Sequence, residues 1–213
     1  MSGSSFAKKI TNMNSKLGKK LGFEFNIYRS VDYLTPISSE NYLATKFISY
    51  TIDASFTKPQ TYDFSLWNIY ADFDIKPGDV LVNADKTLVV VGKELFSPVQ
   101  ALSTNVFIDI FRPTYSATSG SFAPSRQEIY IEVPAVIIAT SSSSDNGPAS
   151  VFPTKQAPKS AVLEWDVWCW LPENSLKPND ILISENIEGT IKSIQYTELG
   201  YKLHIVSSKW VLN

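Results

Sequence analysis

The chain has 213 residues with a net charge of -2, a single Cys and a single His. The near-neutral balance excludes a protein-wide field that would draw it to nucleic acid, and the lone cysteine excludes an internal disulfide. A hydrophobic fraction of 44% and an aromatic fraction of 13%, rich in Val, Ile, Tyr, Phe and Trp, argue for strands and against an all-helical protein.

The first element is a helix. Phe6, Ile10, Met13, Leu17 and Leu21 recur at spacings of four, three, four and four, which places them on one helical face. Ser4 or Ser5 caps its start and Gly22 follows its last apolar residue, where helices commonly end in a left-handed glycine, so the helix is expected from Ser5 to Leu21. Lys8, Lys9, Lys16, Lys19 and Lys20 fall mainly off the apolar stripe, making the helix amphipathic and basic. Residues 23–44 lack sustained periodicity and read as an extended arm with one or two short strands.

From Lys46 the pattern changes to alternation, and strands are expected over 46–56, 63–72, 79–83, 87–95 and 106–111. A Ser, Thr, Ala and Pro-rich stretch over 113–127 reads as a linker. A second strand set follows over 128–140, 161–170, 180–184, 190–195 and 201–206, interrupted by a loop at 141–159 with four consecutive serines. The predicted organisation is an N-terminal helix and arm (1–44), a first β-domain (45–112), the linker (113–127) and a second β-domain (128–213). The fold class is mainly β: two small barrel-like or sandwich-like domains preceded by a short amphipathic helix.

An internal repeat supports that division. At an offset of 101, Trp67 to Val82 matches Trp168 to Ile183 without a gap, with identities at Trp, Lys, Pro, Asp and Leu. Each block is predicted as strand, turn, strand. The turns are Lys76-Pro77-Gly78-Asp79 and Lys177-Pro178-Asn179-Asp180, and Gly78 against Asn179 pairs the two residue types that best tolerate positive φ after a proline. Both turns are read as structural punctuation that fixes strand register.

Residues that carry chemistry are scarce. His204 lies in a strand on the face opposite Leu203 and Ile205, where a structural role is expected, and Cys169 between two tryptophans reads as a packed thiol. Neither Gly-rich phosphate-loop pattern occurs. Asp72, Asp74 and Asp79, with Glu173 and Asp180 in the second block, read as solvated turn carboxylates because their spacing does not fit a calcium loop. No catalytic, cofactor or metal site is expected. No run approaches the roughly 20 apolar residues of a membrane-spanning helix, and the N-terminus lacks a secretory pattern, so the expectation is a soluble, unsecreted protein.

The helix ending in Leu21-Gly22, then Tyr28-Arg29, Lys58-Pro59, a Trp-containing strand and Lys76-Pro77-Gly78-Asp79-Val-Leu-Val resembles a class of tailed-bacteriophage virion proteins of the neck or tail. The resemblance covers roughly residues 5–112. It implies a non-enzymatic structural role, with small β-barrels arranged as a ring in the neck (head-to-tail connection), tail or baseplate. The implied partners are identical subunits and other virion proteins such as portal, connector, tail or baseplate components. No membrane partner is expected, and DNA contact is at most indirect or local, through the N-terminal lysines. The expected location is the virion, assembled in the host cytoplasm. The helix stripe of Phe6, Ile10, Met13, Leu17 and Leu21 is the candidate partner-binding surface, with a helix that covers its own domain as the other reading. A carbohydrate- or peptide-binding module using Trp165, Trp168, Trp170 and Trp210 is the alternative function.

Overall fold

Alternation of apolar and polar residues gives each strand one face for a core and one for its surroundings, and closing such a sheet on itself leaves no unpaired edge. The computed structural model does this twice. It describes residues 9, 12–13, 16–30, 34–52, 66–71, 73–92, 98–114, 125–140, 163–185, 187–197 and 199–210.

The first unit spans Met1–Asn105. Its strands are β1 (Phe23–Tyr28), β2 (Tyr42–Ile52), β3 (Leu66–Ala71), β4 (Val80–Val82), β5 (Thr87–Gly92) and β6 (Val99–Ser103). They close into a barrel in the order β1-β2-β3-β6-β5-β4, every neighbouring pair antiparallel. Phe25, Ile27, Ile48, Ile69, Leu81, Leu88, Val90 and Ala101 fill its interior. Residues 9, 12–13 and 16–21 are helical, so a short N-terminal helix precedes β1.

The second unit spans Val106–Asn213. Its strands are β7 (Val106–Thr114), β8 (Ser125–Thr140), β9 (Leu163–Cys169), β10 (Ile181–Ile183), β11 (Ile187–Thr197) and β12 (Gly200–Trp210). They close as β7-β8-β9-β12-β11-β10, the order of the first barrel strand for strand. Ile108, Ile110, Val133, Val167, Leu182, Ile191, Leu203 and Ile205 form the centre of its core.

Three expected boundaries change. The arm at 23–44 contains β1, a full barrel strand whose Phe25 and Ile27 are completely buried. Residues 106–112 belong to the second barrel, because β7 pairs with β8 and β10. The 113–127 stretch is no interdomain linker. Pro113 pairs with Arg126 and Thr114 with Ser125, so both of its ends belong to the β7–β8 pair of the second barrel. Both barrels therefore begin one strand earlier than the alternation suggests. The cross-strand partner decides membership, and a Pro- and Ser-rich stretch of sequence between the two partners hides that pairing.

The repeat is present but its alignment shifts. Across β3 and β6, Trp67 pairs with Ala101, which pairs with Val90. Across β9 and β12, Trp165 pairs with Ile205, which pairs with Ile191. Trp165, not Trp168, is thus the counterpart of Trp67, and both tryptophans pack against their barrel cores. Trp168 sits on the outer face instead, opposite Lys202. The connection from β9 to β10 is longer than that from β3 to β4, and the extra length passes through Asn174 at a left-handed φ of 61°.

Candidate interaction surfaces

The repeated turns are fixed to their barrels by backbone hydrogen bonds. Gly78 and Asn179 take φ values of 89° and 74°, the left-handed conformation required at the third position of a type II turn. The Asp79 N–H donates to Lys76 O at 3.1 Å and the Asp180 N–H to Lys177 O at 3.1 Å, closing each turn. Gly78 N–H to Val90 O (2.8 Å) and Asn179 N–H to Ile191 O (2.9 Å) tie the turns to β5 and β11. The Lys76 and Lys177 N–H groups each donate to the carboxylate of the turn aspartate at 2.8 Å. Lys76, Pro77, Lys177 and Pro178 remain exposed.

These aspartates are not solvated, contrary to the sequence reading. Asp79 and Asp180 are each 1% exposed. A buried carboxylate needs a cation and several donors, and the chain supplies both from the end of each barrel's first strand. Arg29 donates through Nε (2.8 Å) and Nη2 (2.7 Å) to Asp79, and through Nη2 to Asp74 O (2.7 Å). Arg112 does the same to Asp180 (2.9 and 2.8 Å) and to Ser175 O (3.0 Å). Both guanidinium pKa values are raised, first by the hydrogen bond to the aspartate and further by its charge, while burial opposes the shift. Each bidentate pair clamps β1 to β4, or β7 to β10, across the barrel's closing seam. Asp72 lies outside the described residues.

The helix docks on the first barrel with an unexpected face. A Cβ on Gly18 would lie 3.0 Å from Tyr70 O and 3.2 Å from Phe47 O, and one on Gly22 would lie 2.9 Å from the Ile48 backbone. The contact face is thus glycine, at i and i+4, against the backbones of β2 and β3. Gly22 does not adopt a left-handed φ, so close approach and not helix termination requires glycine there. The apolar stripe is displaced around the helix. Met13 is 56% and Leu21 66% exposed, and Leu17 is half-buried. Lys9, Lys16, Lys19 and Lys20 are exposed. Phe6 and Ile10 lie outside the described residues. Phe47, whose carbonyl supports Gly18, has its side chain 53% exposed.

The aromatics counted toward a ligand-binding module are mostly occupied. Trp165 packs on the core, and Trp168 is 7% exposed beneath Lys202, whose Nζ lies 5.3 Å from its ring. Trp170 is half-buried, and the Trp210 side chain lies outside the described residues. In the first barrel, Tyr50 and Trp67 stack edge to face at 5.2 Å with Lys86 over the Trp67 ring at 4.0 Å.

His204 faces outward from β12, with Nδ1 3.3 Å from Asp166 and Nε2 3.8 Å from Glu164, while Lys202 pairs with Asp166 at 3.0 Å. Cys169 is in the core, and burial pushes its thiol up to about 12, so it is protonated at neutral pH. Among the described residues no group of three His, Cys, Asp or Glu is placed to hold a metal ion, and no described helix is long and apolar enough to cross a membrane.

The structure brings both turn motifs together with Arg29 and Arg112, which the sequence reading missed. The sole hint was an arginine directly after an apolar strand. No family model, curated protein or solved structure matches the chain.

Proposed function

We propose that the protein is a non-enzymatic structural component of a phage particle, a subunit of a symmetric ring in the neck or in the tail or baseplate. The observation that carries this reading is the N-terminal helix. It is held to its barrel by glycine, and the large apolar side chains Met13 and Leu21 point away from that contact. A helix that served only to cover its own domain would bury that stripe, because apolar area removed from water is what stabilises such docking.

Closed barrels with clamped seams suit this role. They offer no free edge for strand addition, so association runs through faces and projecting elements. The side chains with chemical potential are otherwise engaged: His204 beside Asp166 at 3.3 Å and Cys169 in the core. The test is detection of the chain in purified particles by mass spectrometry, with localisation by cryo-electron microscopy. A ring of density at the neck, tail or baseplate that accepts the tandem barrels is expected; absence of the chain from particles overturns the reading.

A further inference from the structure

We propose that the exposed stripe of the N-terminal helix docks on the outer face of β7 and β8 in a second copy of the chain, head to tail. This rests on the ring reading above and names the contact that builds the ring.

The helix surface has one chemical character. Residues 1–23 contain five lysines and no acidic residue. With Gly18 and Gly22 against the barrel, the 100° helical step sets Lys9, Lys16 and Lys20 on the far side with Met13 beside them, and Leu17 and Leu21 along one flank. Phe47 extends the apolar area at the point where the helix crosses β2.

The second unit carries the complement. Residues 106–213 hold eleven acidic against eight basic residues. On the outer face of β7 and β8, Phe107 is 46% exposed and pairs across the strands with Pro134. Asp109 is next along β7 on the same face, and its carboxylate accepts the N–H of Glu132, where a left-handed φ of 53° kinks β8. Glu132 and Glu128 are exposed, and among the described residues neither has a cationic partner. By contrast, Glu188 pairs with Arg126 and Asp166 with Lys202. An apolar residue within an unpaired acidic rim fits an apolar stripe within a basic rim.

The second barrel cannot supply this contact from a helix of its own. Only Thr104 and Asn105 separate β6 from β7, so no counterpart of the N-terminal helix precedes it. The helix of one copy against the β7–β8 face of another makes a heterologous contact, which closes into a ring when the rotation between copies allows.

The experiment is sedimentation velocity of the full chain over a concentration series at low and high salt. Wild type is expected to self-associate, more weakly at high salt. Lys16→Glu with Lys20→Glu should weaken association by about tenfold or more, as should Glu128→Lys with Glu132→Lys, each with an unchanged circular dichroism spectrum. Mixing the two double variants should restore a complex, because the reversed helix of one meets the reversed face of the other. A wild type that stays monomeric, association unaffected by both reversals, or no rescue on mixing overturns the inference. So does loss of binding to anionic vesicles or to DNA in the helix variant with self-association unchanged, which would assign the lysines to those ligands. A chain found in particles whose reversals leave association intact keeps the ring reading and loses this contact alone.

Discussion

Cutting the Arg29–Asp79 clamp from either side should have unequal effects, because the partners differ in burial. The Asp79 side chain is 1% exposed and that of Arg29 31%. Among the described residues, Arg29→Ala leaves a buried carboxylate with one remaining donor, the Lys76 N–H at 2.8 Å. Removing one partner of a buried pair costs about 3–5 kcal/mol when the survivor cannot reach water. Asp79→Ala leaves a guanidinium that can rehydrate and an orphaned Lys76 N–H, at about 2 kcal/mol. The double variant removes the stranded charge, so its loss should be smaller than the sum and no more than about 1 kcal/mol beyond Arg29→Ala.

At about 4 °C per kcal/mol for a domain of this size, Arg29→Ala should lower the melting temperature of the first unit by about 12 °C or more. Calorimetry measures the shift, and hydrogen exchange in peptides from β1 and β4 identifies which unit has melted. The same ordering is expected for Arg112 and Asp180, whose side chains are 25% and 2% exposed. Strictly additive losses, or a larger loss from the aspartate than from the arginine, would refute the view that the buried carboxylate is the costly member.

Three further outcomes follow from the geometry. Gly22→Ala places a Cβ 2.2 Å from Gly18 O and 2.9 Å from Ile48, so the helix end must lift; tryptic cleavage at Lys16, Lys19 and Lys20 should accelerate about tenfold while the barrel stays folded. At Asn179, with φ at 74°, Asn179→Gly should change stability by less than about 0.5 kcal/mol and Asn179→Ala should cost about 1 kcal/mol, measured by urea unfolding. Cys169 has a folded pKa raised to about 12, so its contribution is fully present below the unfolded value and is lost as pH rises toward the folded one. Stability should therefore fall less steeply between about pH 9 and pH 12 in Cys169→Ala, while native Cys169 stays unreactive to thiol reagents at pH 8.

The fold was legible where periodicity is local. The alternating runs that begin at Lys46, Thr87, Glu128 and Tyr201 all correspond to strands, and the Lys-Pro-(Gly/Asn)-Asp turns stand where positive φ was expected. What failed was non-local. Arg29 and Asp79 are 50 residues apart and Arg112 and Asp180 are 68 apart, so no short motif announces that the turn aspartates are buried. The role of Gly18 carries no signal in the sequence, because periodicity records where large side chains sit and cannot see that a backbone presses against a missing one. Which face meets the barrel was decided by close approach at glycine, a choice that hydrophobicity does not predict.

The duplication now rests on different residues. The gapless match gave weight to Trp168, yet strand pairing makes Trp165 the counterpart of Trp67. Trp168 matches by coincidence, because the β9–β10 connection is longer than β3–β4 and offsets the gapless alignment from the true counterpart, Trp165. The clamp is the firmer evidence: Arg29 and Arg112 occupy the same place relative to Ile27 and Ile110, which pair with Leu81 and Leu182. Two unrelated barrels that shared only a common turn would have no reason to share an arginine from a different strand donating to the same three oxygens. One ancestral unit, copied with its seam intact, accounts for both. The outer faces had no such constraint, and it is there that the copies differ: Glu24 opposite Phe47 in the first barrel corresponds to Phe107 opposite Pro134 in the second. A duplication that fixes the seam and frees the faces gives one chain two dissimilar surfaces, which is the minimum a head-to-tail contact requires.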